Sequence, residues 1–414
     1  MTGSSLGFPA VWLRHNCPCP GCLDPVTGQR LVEVTSIPNE CGVTVEAQTA
    51  ESVTVVFAPD GHRAVFSRAW LADHALPAGH AAAPGRSPWL SGLAGVPGQP
   101  AAAGTATGEA VADPDPRAED GKRLWRAADL AAGGPVPFPV ADWDRYLADD
   151  TVRAAALDAV ATIGFALLRG VPVTPGSVLR VAETFGFVRE TNYGKLFDVR
   201  VVADPVNLAF TSRAIAPHTD NPYRDPVPTL QLLHCLRDAD LGGDTGLVDG
   251  FAAAAELRRG DPASFAVLTA TPWPFAYADK ATELRASQPL IALTPDGRIT
   301  AVRLNNRSMG PLRLPYARAE AAYAAYRAWA ALLARPEFLL TMRLAPGDCL
   351  IFDNTRVLHA RTAFAAPAAD PSADPSAPDG SPADPRERHL QGCYADIDGL
   401  LSTLAVLRRA RPGG

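Results

Sequence analysis

Two histidines and an aspartate in this sequence have the types and spacing to bind one metal ion. His218 and Asp220 are separated by one residue, and His359 lies far downstream. Two imidazoles and one carboxylate bind one face of Fe(II) and leave the opposite face open, which an oxygen-activating iron needs. On an extended strand the side chains at i and i+2 point the same way, so His218 and Asp220 can reach one metal. Because His-x-Asp is a short and common pattern, the case for an iron site depends on the surrounding sequence.

Three cysteines near the N-terminus form a second candidate metal site. Cys17, Cys19 and Cys22 lie close together on a turn shaped by proline and glycine. Structural zinc commonly takes three cysteines and one histidine in a closed tetrahedron. His62 is the predicted fourth ligand, because it sits in a polar turn between two apolar runs. Weaker candidates for that position are His15, His74 and His80. A redox thiol cluster and an iron–sulfur ligand set remain alternatives.

The composition is that of a globular protein with room for two domains. The chain has 414 residues, of which 47% are hydrophobic and 20% charged, and this suits a soluble protein with a sizeable core. The formal net charge is −6 and no run of lysine and arginine occurs, so we expect no nucleic-acid partner. No apolar run of about 18 residues predicts a membrane span. The N-terminus lacks the features of a secretory signal, so we expect a cytoplasmic protein with reduced thiols.

Shifts in composition divide the chain into a small N-terminal module and a large domain. Residues 8–76 hold short β-rich runs together with the cysteines, and they form the predicted zinc-binding module. Residues 77–120 are rich in proline, alanine and glycine, as linkers are. The predicted catalytic domain spans residues 121–414. Within it, residues 365–384 are almost wholly Ala, Pro, Asp, Ser and Gly, so we expect a mobile surface insertion there.

Strands and helices of the large domain predict an α+β fold. Helices are predicted at 140–147, 152–163, 177–185, 251–259 and 318–334, and strands at 165–168, 230–234, 339–344, 349–353 and 390–395. Short strands separated by turns, with helices outside, favour a double-stranded β-helix, the jelly-roll barrel. A doubly wound parallel sheet is the alternative, but no glycine-rich phosphate loop follows a strand. We therefore predict a jelly-roll domain with flanking helices, preceded by a small β-rich zinc-binding domain.

Several ordered stretches of this sequence match one family of oxygenases. They are WLRHNCPC at 12–19, QLLHC at 231–235, GGDT at 242–245, VDGF at 248–251, FDN at 352–354, HAR at 359–361 and RHLQGCYAD at 388–396. Together they resemble γ-butyrobetaine and trimethyllysine dioxygenases, within the taurine-dioxygenase-like Fe(II)/2-oxoglutarate oxygenases. The resemblance covers both predicted domains, and ordered matches of this length are far more specific than His-x-Asp alone.

The resemblance implies an iron centre that uses 2-oxoglutarate and O2 as cosubstrates, with ascorbate as reductant. It assigns the Fe(II) to His218, Asp220 and His359. Arg388 matches the arginine that binds the far carboxylate of 2-oxoglutarate, a task that suits a guanidinium because its fork donates two bonds to one carboxylate. The insertion before this arginine makes Arg386 the fallback. Thr245 matches a residue that donates a hydroxyl hydrogen bond near the cosubstrate.

The resemblance also implies an aromatic cage around a quaternary ammonium group. Such a group donates no hydrogen bond, and aromatic faces bind it through cation–π attraction. The matching positions are Tyr193, Phe197, Phe210 and Tyr394. Asn221 stands where the family has a further cage aromatic, and Tyr223 lies two residues on. Ordinary core packing is the alternative for each of these aromatics, since such side chains dominate cores.

Polar residues match the family's contacts with the anionic end of the substrate. Asn207 and Asn306 match substrate-contacting positions, and Arg307 adds a cation beside the second of them. Amides suffice to bind a carboxylate, whereas an added guanidinium also suits a phosphonate or sulfonate with three oxygens. A solvent-facing position is the alternative for Arg307.

The predicted function is hydroxylation of a small quaternary-ammonium substrate of the γ-butyrobetaine type. A 2-trimethylaminoethylphosphonate hydroxylase of the same family is the alternative, and a homodimer is what the family suggests. Asp220 favours hydroxylation over halogenation, because an iron halogenase of this kind lacks the carboxylate. Two other classes compete: a catalytically silent ligand-binding protein on the same scaffold, and metal-assisted hydrolysis with zinc at the triad. The sequence places no general base for hydrolysis.

Overall fold

The computed structural model describes residues 7–77, 118–119, 121–201, 211–239, 241–364 and 388–410. Most of the predicted linker and all of the predicted insertion at 365–384 lie outside these residues. Four candidate site residues also lie outside the described ranges, namely His80, Asn207, Phe210 and Arg386.

The N-terminal unit is a three-stranded antiparallel sheet with a short helix before and after it. Its elements are α1 (Ala10–His15), β1 (Gly42–Gln48), β2 (Ser52–Ala58), β3 (Arg63–Ser67) and α2 (Arg68–Asp73), with β2 in the centre. The β-branched run in β2 suits a pleated, buried surface, and Val53, Val55 and Phe57 face the core. The turn from β2 to β3 carries His62, so the sheet fixes where that imidazole lies.

The rest of the chain contains two main sheets and several two-stranded ribbons. Its strands are β4 (Ala118–Glu119), β5 (Lys122–Arg123), β6 (Val140–Asp142), β7 (Phe165–Arg169), β8 (Val188–Arg189), β9 (Phe197–Val199), β10 (Ile215–His218), β11 (Leu230–Arg237), β12 (Thr245–Asp249), β13 (Pro272–Ala278), β14 (Glu283–Pro289), β15 (Ile291–Leu293), β16 (Ile299–Val302), β17 (Leu339–Met342), β18 (Cys349–Asp353), β19 (Val357–Arg361) and β20 (His389–Ala395). The larger sheet has seven strands in the order β6–β7–β18–β11–β20–β8, with β9 also paired to β20. The smaller sheet has four strands in the order β10–β19–β12–β17. Among these described pairings only β6 with β7 is parallel.

A hydrophobic cluster lies between the two main sheets. It joins Phe165, Leu233 and Phe352 of the larger sheet to Leu247 and Val357 of the smaller one. The central strands β11 and β18 are nearly continuous apolar runs because they are buried almost throughout. Two sheets packed face to face in this way give the site residues a rigid support.

Helices cover the outer face of the larger sheet and the side that meets the N-terminal unit. They are α3 (Trp143–Ala148), α4 (Asp150–Thr162), α5 (Ser177–Glu183), α6 (Gly250–Gly260), α7 (Pro262–Ala270), α8 (Tyr316–Leu333) and α9 (Ile397–Arg409). Leu157, Val181 and Leu404 belong to the cluster on the outer face of the larger sheet. Helices α6, α7 and α8 share one core with the N-terminal unit. No helix in the described part of the chain combines the length and the apolarity of a membrane span.

The prediction of a mixed helix and strand fold is confirmed, but individual elements differ from it. The helix predicted at 140–147 is wrong in its first part, because Val140–Asp142 pairs with β7 and the helix begins only at Trp143. Helix α7 was not predicted, although Asp261 caps it and Pro262 occupies its first turn, which is a start signal in the sequence. The doubly wound alternative is wrong, since the described sheets are almost wholly antiparallel.

A fully buried ion pair ties β12 to the start of the strand that carries His359. Nη2 of Arg356 lies 2.8 Å from Oδ2 of Asp249, and neither side chain is exposed to solvent. Arg356 also donates hydrogen bonds to the carbonyls of Thr162 and Arg123, each at 2.7 Å. Because this charge pair is densely hydrogen-bonded, it tolerates burial and fixes the beginning of β19.

Candidate active site

The structure brings His218, Asp220 and His359 together at the end of β10. His218 is the last residue of that strand and stands opposite His359 in the antiparallel pair β10–β19. Oδ1 of Asp220 lies 3.5 Å from Nε2 of His218. The two imidazole centroids are 4.1 Å apart, and one ligand atom from each of the three residues lies within 4.8 Å of the others. Asp220 thus reaches both histidines although it lies just beyond the strand.

Hydrogen bonds orient the first histidine and the aspartate. Nδ1 of His218 lies 2.9 Å from the carbonyl oxygen of Ala216, so this nitrogen carries the proton and Nε2 is free to bind a metal. Oδ2 of Asp220 accepts hydrogen bonds from Nε2 of Gln231 at 2.8 Å and from the hydroxyl of Tyr394 at 2.9 Å. Oδ1 is left facing His218, in the direction that a shared metal ion requires.

The electrostatics of the triad fit a divalent metal ion. Burial lowers the pKa of His359 to about 3, with His218 adding to the effect, and burial also lowers the pKa of His218. Burial alone acts to raise the pKa of Asp220, but its contact with His218 and the nearby charges lower that pKa below its usual range. Two neutral imidazoles and one carboxylate result, which is the state in which these groups bind metals. Nδ1 of His359 is buried and has no hydrogen-bond partner among the described residues.

A cavity of about 370 Å³ contains the triad together with Arg388, Thr245 and Arg361. Gly243 leaves room for Arg388, because a Cβ there would lie 2.9 Å from Cδ and Nε of that arginine. Burial and the charges of Arg388 and Arg307 lower the pKa of Arg361 to about 9. Arg361 was not predicted as a site residue, although it lies two residues after His359 on β19 and so shares its face. Several arginines in one cavity create a positive potential that suits an anionic cosubstrate.

Five aromatic rings among the described residues line the same cavity: Tyr193, Phe197, Tyr223, Tyr277 and Tyr394. Tyr223 and Tyr277 stack with centroids 5.1 Å apart, and Tyr193 meets Tyr277 edge-on at 5.7 Å. The hydroxyls of Tyr193 and Tyr223 are 3.0 Å apart, and the rings of Phe197 and Tyr394 are 5.0 Å apart. Tyr277 was not predicted, because it arrives on the β13–β14 hairpin and has no local link to the other rings. A group of ring faces of this kind can hold an organic cation.

Asn306 does not line this cavity, contrary to its predicted contact with the substrate. Its Oδ1 lies 2.8 Å from Nε2 of His15, and its Nδ2 lies 3.0 Å from the carbonyl of Val32, so the side chain faces the N-terminal unit. The adjacent residues Asn305 and Arg307 do line the cavity. The chain makes a 3₁₀ turn at this point, and successive side chains therefore point in different directions.

Asn221 lies in the cavity wall beside the triad. It is 2% exposed and has a left-handed backbone with φ of 55°, a conformation that asparagine adopts more readily than most residues. Neither polar atom of its amide has a hydrogen-bond partner among the described residues. A buried amide without partners is suited to binding a polar ligand.

The cysteine turn and His62 form a second ligand cluster. Sγ of Cys17 lies 3.2 Å from Nε2 of His62, and the sulfurs of Cys19 and Cys22 each lie 3.6 Å from the same nitrogen. Tetrahedral zinc, with bonds of about 2.3 Å to sulfur and about 2.0–2.1 Å to nitrogen, holds such atoms about 3.6 Å apart. The geometry therefore fits a closed four-ligand zinc site. Two weaker candidates lie outside the cluster, namely His15 and His74.

Family models and known relatives match nearly the whole chain. The model of the taurine catabolism dioxygenase TauD, TfdA family matches residues 127–394, and a gamma-butyrobetaine hydroxylase-like N-terminal model matches residues 1–72. A gamma-butyrobetaine dioxygenase of Pseudomonas sp. (strain AK-1) is 34% identical over 407 residues, which cover 97% of this chain and 91% of the relative. The gamma-butyrobetaine dioxygenase of Homo sapiens is 27% identical over 414 residues, covering 98% and 92%. A trimethyllysine dioxygenase of Meyerozyma guilliermondii is 27% identical over 418 residues, covering 99% and 92%.

Proposed function

This chain belongs to the taurine catabolism dioxygenase TauD, TfdA family, and on that premise we propose a substrate class and a role for each site residue. It is an Fe(II)- and 2-oxoglutarate-dependent dioxygenase that hydroxylates a small quaternary-ammonium substrate of the γ-butyrobetaine type. The observation that carries the proposal is one cavity that combines the His218–Asp220–His359 triad with five aromatic rings. The 34% identity to a gamma-butyrobetaine dioxygenase supports the same substrate class.

The metal and the cosubstrates supply the oxidising chemistry. An iron ion held here would supply, with 2-oxoglutarate and O2, the coupling of cosubstrate decarboxylation to succinate and CO2 with hydroxylation of an unactivated C–H bond. The chain contributes binding, orientation and shielding from water. His218, Asp220 and His359 hold the iron, while Gln231 and Tyr394 fix the carboxylate so that Oδ1 stays directed at the metal.

The arginines of the cavity bind the cosubstrate. In this proposal Arg388 pairs with the far carboxylate of 2-oxoglutarate through its planar fork, and Thr245 donates a hydroxyl hydrogen bond. Arg361 adds a second positive charge beside Arg388. Gly243 keeps the approach to Arg388 free of a side chain.

The two ends of the substrate bind to opposite kinds of surface. The ring faces of Tyr193, Tyr223 and Tyr277 receive the trimethylammonium group. Arg307 and Asn305 bind the anionic end. Holding both ends would fix the orientation of the substrate relative to the triad, and such positioning accounts for much of the rate that a protein adds to its cofactor.

A phosphonate substrate of the same shape is the second candidate. The observation that favours it is Arg307, which lines the cavity together with Asn305. A guanidinium and an amide together offer enough donors for three oxygens. Under this reading the chain hydroxylates 2-trimethylaminoethylphosphonate, with the same use of the aromatic rings.

The proposal also includes a structural metal ion, a reductant and a domain architecture. The cluster of Cys17, Cys19, Cys22 and His62 holds a structural zinc ion. Ascorbate keeps the iron ferrous between turnovers. The two facing sheets form a double-stranded β-helix, with a zinc module at 8–76, a linker at 77–120 and a catalytic domain at 121–414.

A cosubstrate-coupled turnover screen tests the proposal. Purified protein with Fe(II), ascorbate and 2-oxoglutarate should release succinate when γ-butyrobetaine or 2-trimethylaminoethylphosphonate is added, and the ratio of the two kcat/KM values separates the candidates. The matched control is the neutral isostere of γ-butyrobetaine, in which a tert-butyl group replaces the trimethylammonium. Equal turnover of the isostere would remove the cation-binding role of the rings. No succinate above background with any quaternary amine would remove the substrate class.

Two rival classes give different results in the same experiment. A silent ligand-binding protein binds the amine but releases no succinate. A zinc hydrolase at the triad is active without O2, whereas the proposed reaction stops in anaerobic buffer.

A further inference from the structure

A hairpin of the N-terminal unit reaches the catalytic cavity. The chain leaves Cys22, pairs Leu23 with Arg30, and turns through Thr27, Gly28 and Gln29. These three turn residues line the same cavity as the triad and the aromatic rings. The N-terminal unit therefore supplies part of the wall of a site whose metal ligands lie in the other domain.

The turn is held in one shape by hydrogen bonds at its base. Oδ1 of Asp24 accepts from the backbone nitrogens of Val26 and Thr27 at 3.1 Å and 2.8 Å, and from Oγ1 of Thr27 at 3.0 Å. The backbone of Asp24 also donates to the carbonyl of Gln29 at 2.8 Å. Gly28 provides the left-handed residue of the turn, with φ of 65°. A turn closed in this way presents a fixed surface to the cavity.

Arg30, at the end of the hairpin, crosses from the N-terminal unit to the loop that carries Arg307. Its Nη1 donates to the carbonyls of Asn306 at 3.0 Å and Met309 at 2.8 Å, which flank Arg307 in the sequence. Its Nε donates to the carbonyl of His15 at 2.7 Å. Arg30 is 8% exposed, so these bonds form away from competing water and hold the loop firmly.

The side chain of Asn306 fastens the same loop a second time. It donates to the carbonyl of Val32 at 3.0 Å and accepts from Nε2 of His15 at 2.8 Å. The hydroxyl of Tyr326 also lies 3.2 Å from its Oδ1. Main chain and side chain of this turn are thus both bound by the N-terminal unit, while the adjacent Arg307 lines the catalytic cavity.

We propose that the N-terminal unit completes the substrate site of the catalytic domain. The turn at Thr27, Gly28 and Gln29 is a specificity-determining part of the cavity wall, and Arg30 is a positioning residue that fixes Arg307. The substrate part of this inference rests on the proposed function; the positioning of the loop does not.

The variant Arg30→Lys tests the positioning role through a split between kinetic constants. A lysine keeps the charge but has one nitrogen, so it cannot reach the carbonyls of His15, Asn306 and Met309 together. We expect the KM for the quaternary amine to rise about tenfold, with kcat at saturation within about threefold and the KM for 2-oxoglutarate unchanged. The matched control is Arg63→Lys, an exposed arginine of the same unit that pairs with Glu46, which should change neither constant.

A second variant tests the wall without touching the buried network. Gln29→Ala removes a side chain that lines the cavity, whereas Val26→Ala truncates a residue of the same hairpin that is 71% exposed and lies outside the lining. We expect Gln29→Ala to change the ratio of the kcat/KM values for γ-butyrobetaine and 2-trimethylaminoethylphosphonate by about threefold or more, and Val26→Ala to leave that ratio unchanged. If both variants have the same substrate preference, the turn at Thr27, Gly28 and Gln29 does not determine specificity.

Amide hydrogen exchange of the full chain tests, without any substrate, whether Arg30 holds the loop at 305–309 in place. In Arg30→Lys the segment 305–309 should exchange at least about tenfold faster than in the wild type, because opening of the loop no longer breaks the two hydrogen bonds from Arg30 to the carbonyls of Asn306 and Met309. Unchanged exchange of the segment 305–309 overturns the positioning role of Arg30. Faster exchange with an unchanged KM for the quaternary amine overturns the importance of Arg30 for substrate binding. If the wild type turns over no quaternary amine, the proposed function fails, yet the exchange measurement still decides whether Arg30 holds the loop.

Discussion

The hydroxyl of Tyr394 donates a hydrogen bond of 2.9 Å to Oδ2 of Asp220. Oδ1 of the same carboxylate lies 3.5 Å from Nε2 of His218. One side chain therefore serves two parts of the site: its ring faces Phe197 within the aromatic group, and its hydroxyl orients a metal ligand. The sequence resemblance implies only the first of these roles.

Removing that hydroxyl should weaken iron binding more than substrate binding. Tyr394→Phe keeps the ring but leaves Oδ2 of Asp220 with the hydrogen bond from Gln231 alone. Loss of a partner that orients a metal ligand typically costs about 10–100-fold in metal affinity or activity, and we expect the low end, since one partner remains. Fe(II) titration of activity measures the change, and the KM for the quaternary amine should stay within about threefold.

The control for this variant is Tyr277→Phe. The hydroxyl of Tyr277 binds Asp279 at 2.7 Å, away from the triad, so its removal should leave iron affinity unchanged. A Tyr394→Phe enzyme with wild-type iron affinity would show that Gln231 alone orients the carboxylate.

Truncation of Tyr277 should weaken binding of the cation specifically. Tyr277→Ala removes the ring that stacks on Tyr223 and meets Tyr193 edge-on. A desolvated cation–π contact is worth up to about 2 kcal/mol, so we expect the KM for the quaternary amine to rise about tenfold. Binding of the tert-butyl isostere, measured by calorimetry, should weaken much less. Equal weakening for both ligands would mean that the ring contributes shape and no cation attraction.

Arg388 should control the affinity for 2-oxoglutarate. Arg388→Lys replaces a planar fork by a single ammonium, which does not bind a carboxylate bidentately. The KM for 2-oxoglutarate should rise at least about tenfold, with the KM for the amine within about threefold. Arg408→Lys, on the exposed surface of α9, is the control and should change neither. If Arg388→Lys behaves like this control, Arg361 is the next candidate for the same carboxylate.

The sequence predicts that His218, Asp220 and His359 share one metal ion, and the structure brings these three side chains together. The pairing of β10 with β19 sets His359 opposite His218. Asp220 lies just beyond the end of β10, so the strand period that motivated the prediction does not itself place this carboxylate. Tyr277 could not be found in this way, since tertiary packing of the β13–β14 hairpin decides which ring meets Tyr223. Asn306 was predicted to contact the substrate, but at the 3₁₀ turn that begins there it is the adjacent Asn305 that lines the cavity.

The buried pair of Arg356 and Asp249 should be essential for stability. Arg356→Met leaves the carboxylate of Asp249 buried without its cation, and breaking a buried pair from one side costs about 3–5 kcal/mol. Urea denaturation should show this loss as a lower midpoint with an unchanged slope. Arg63→Met, which breaks an ion pair whose side chains are 60% and 45% exposed, should cost less than about 1 kcal/mol. Similar losses for the two variants would contradict the special role of the buried pair.

Metal analysis should find one zinc ion per chain in addition to iron, bound by the cysteine turn and His62. Cys19→Ser removes one of the four ligands and should abolish stoichiometric zinc, because closed structural sites need all four. Cys41→Ser is the matched control, since this cysteine lies outside the cluster. Zinc binding requires deprotonated thiols, so acidification should release the metal, and the midpoint of thermal unfolding should fall with it. Full zinc content in Cys19→Ser would place the metal elsewhere and leave the three cysteines as a redox cluster.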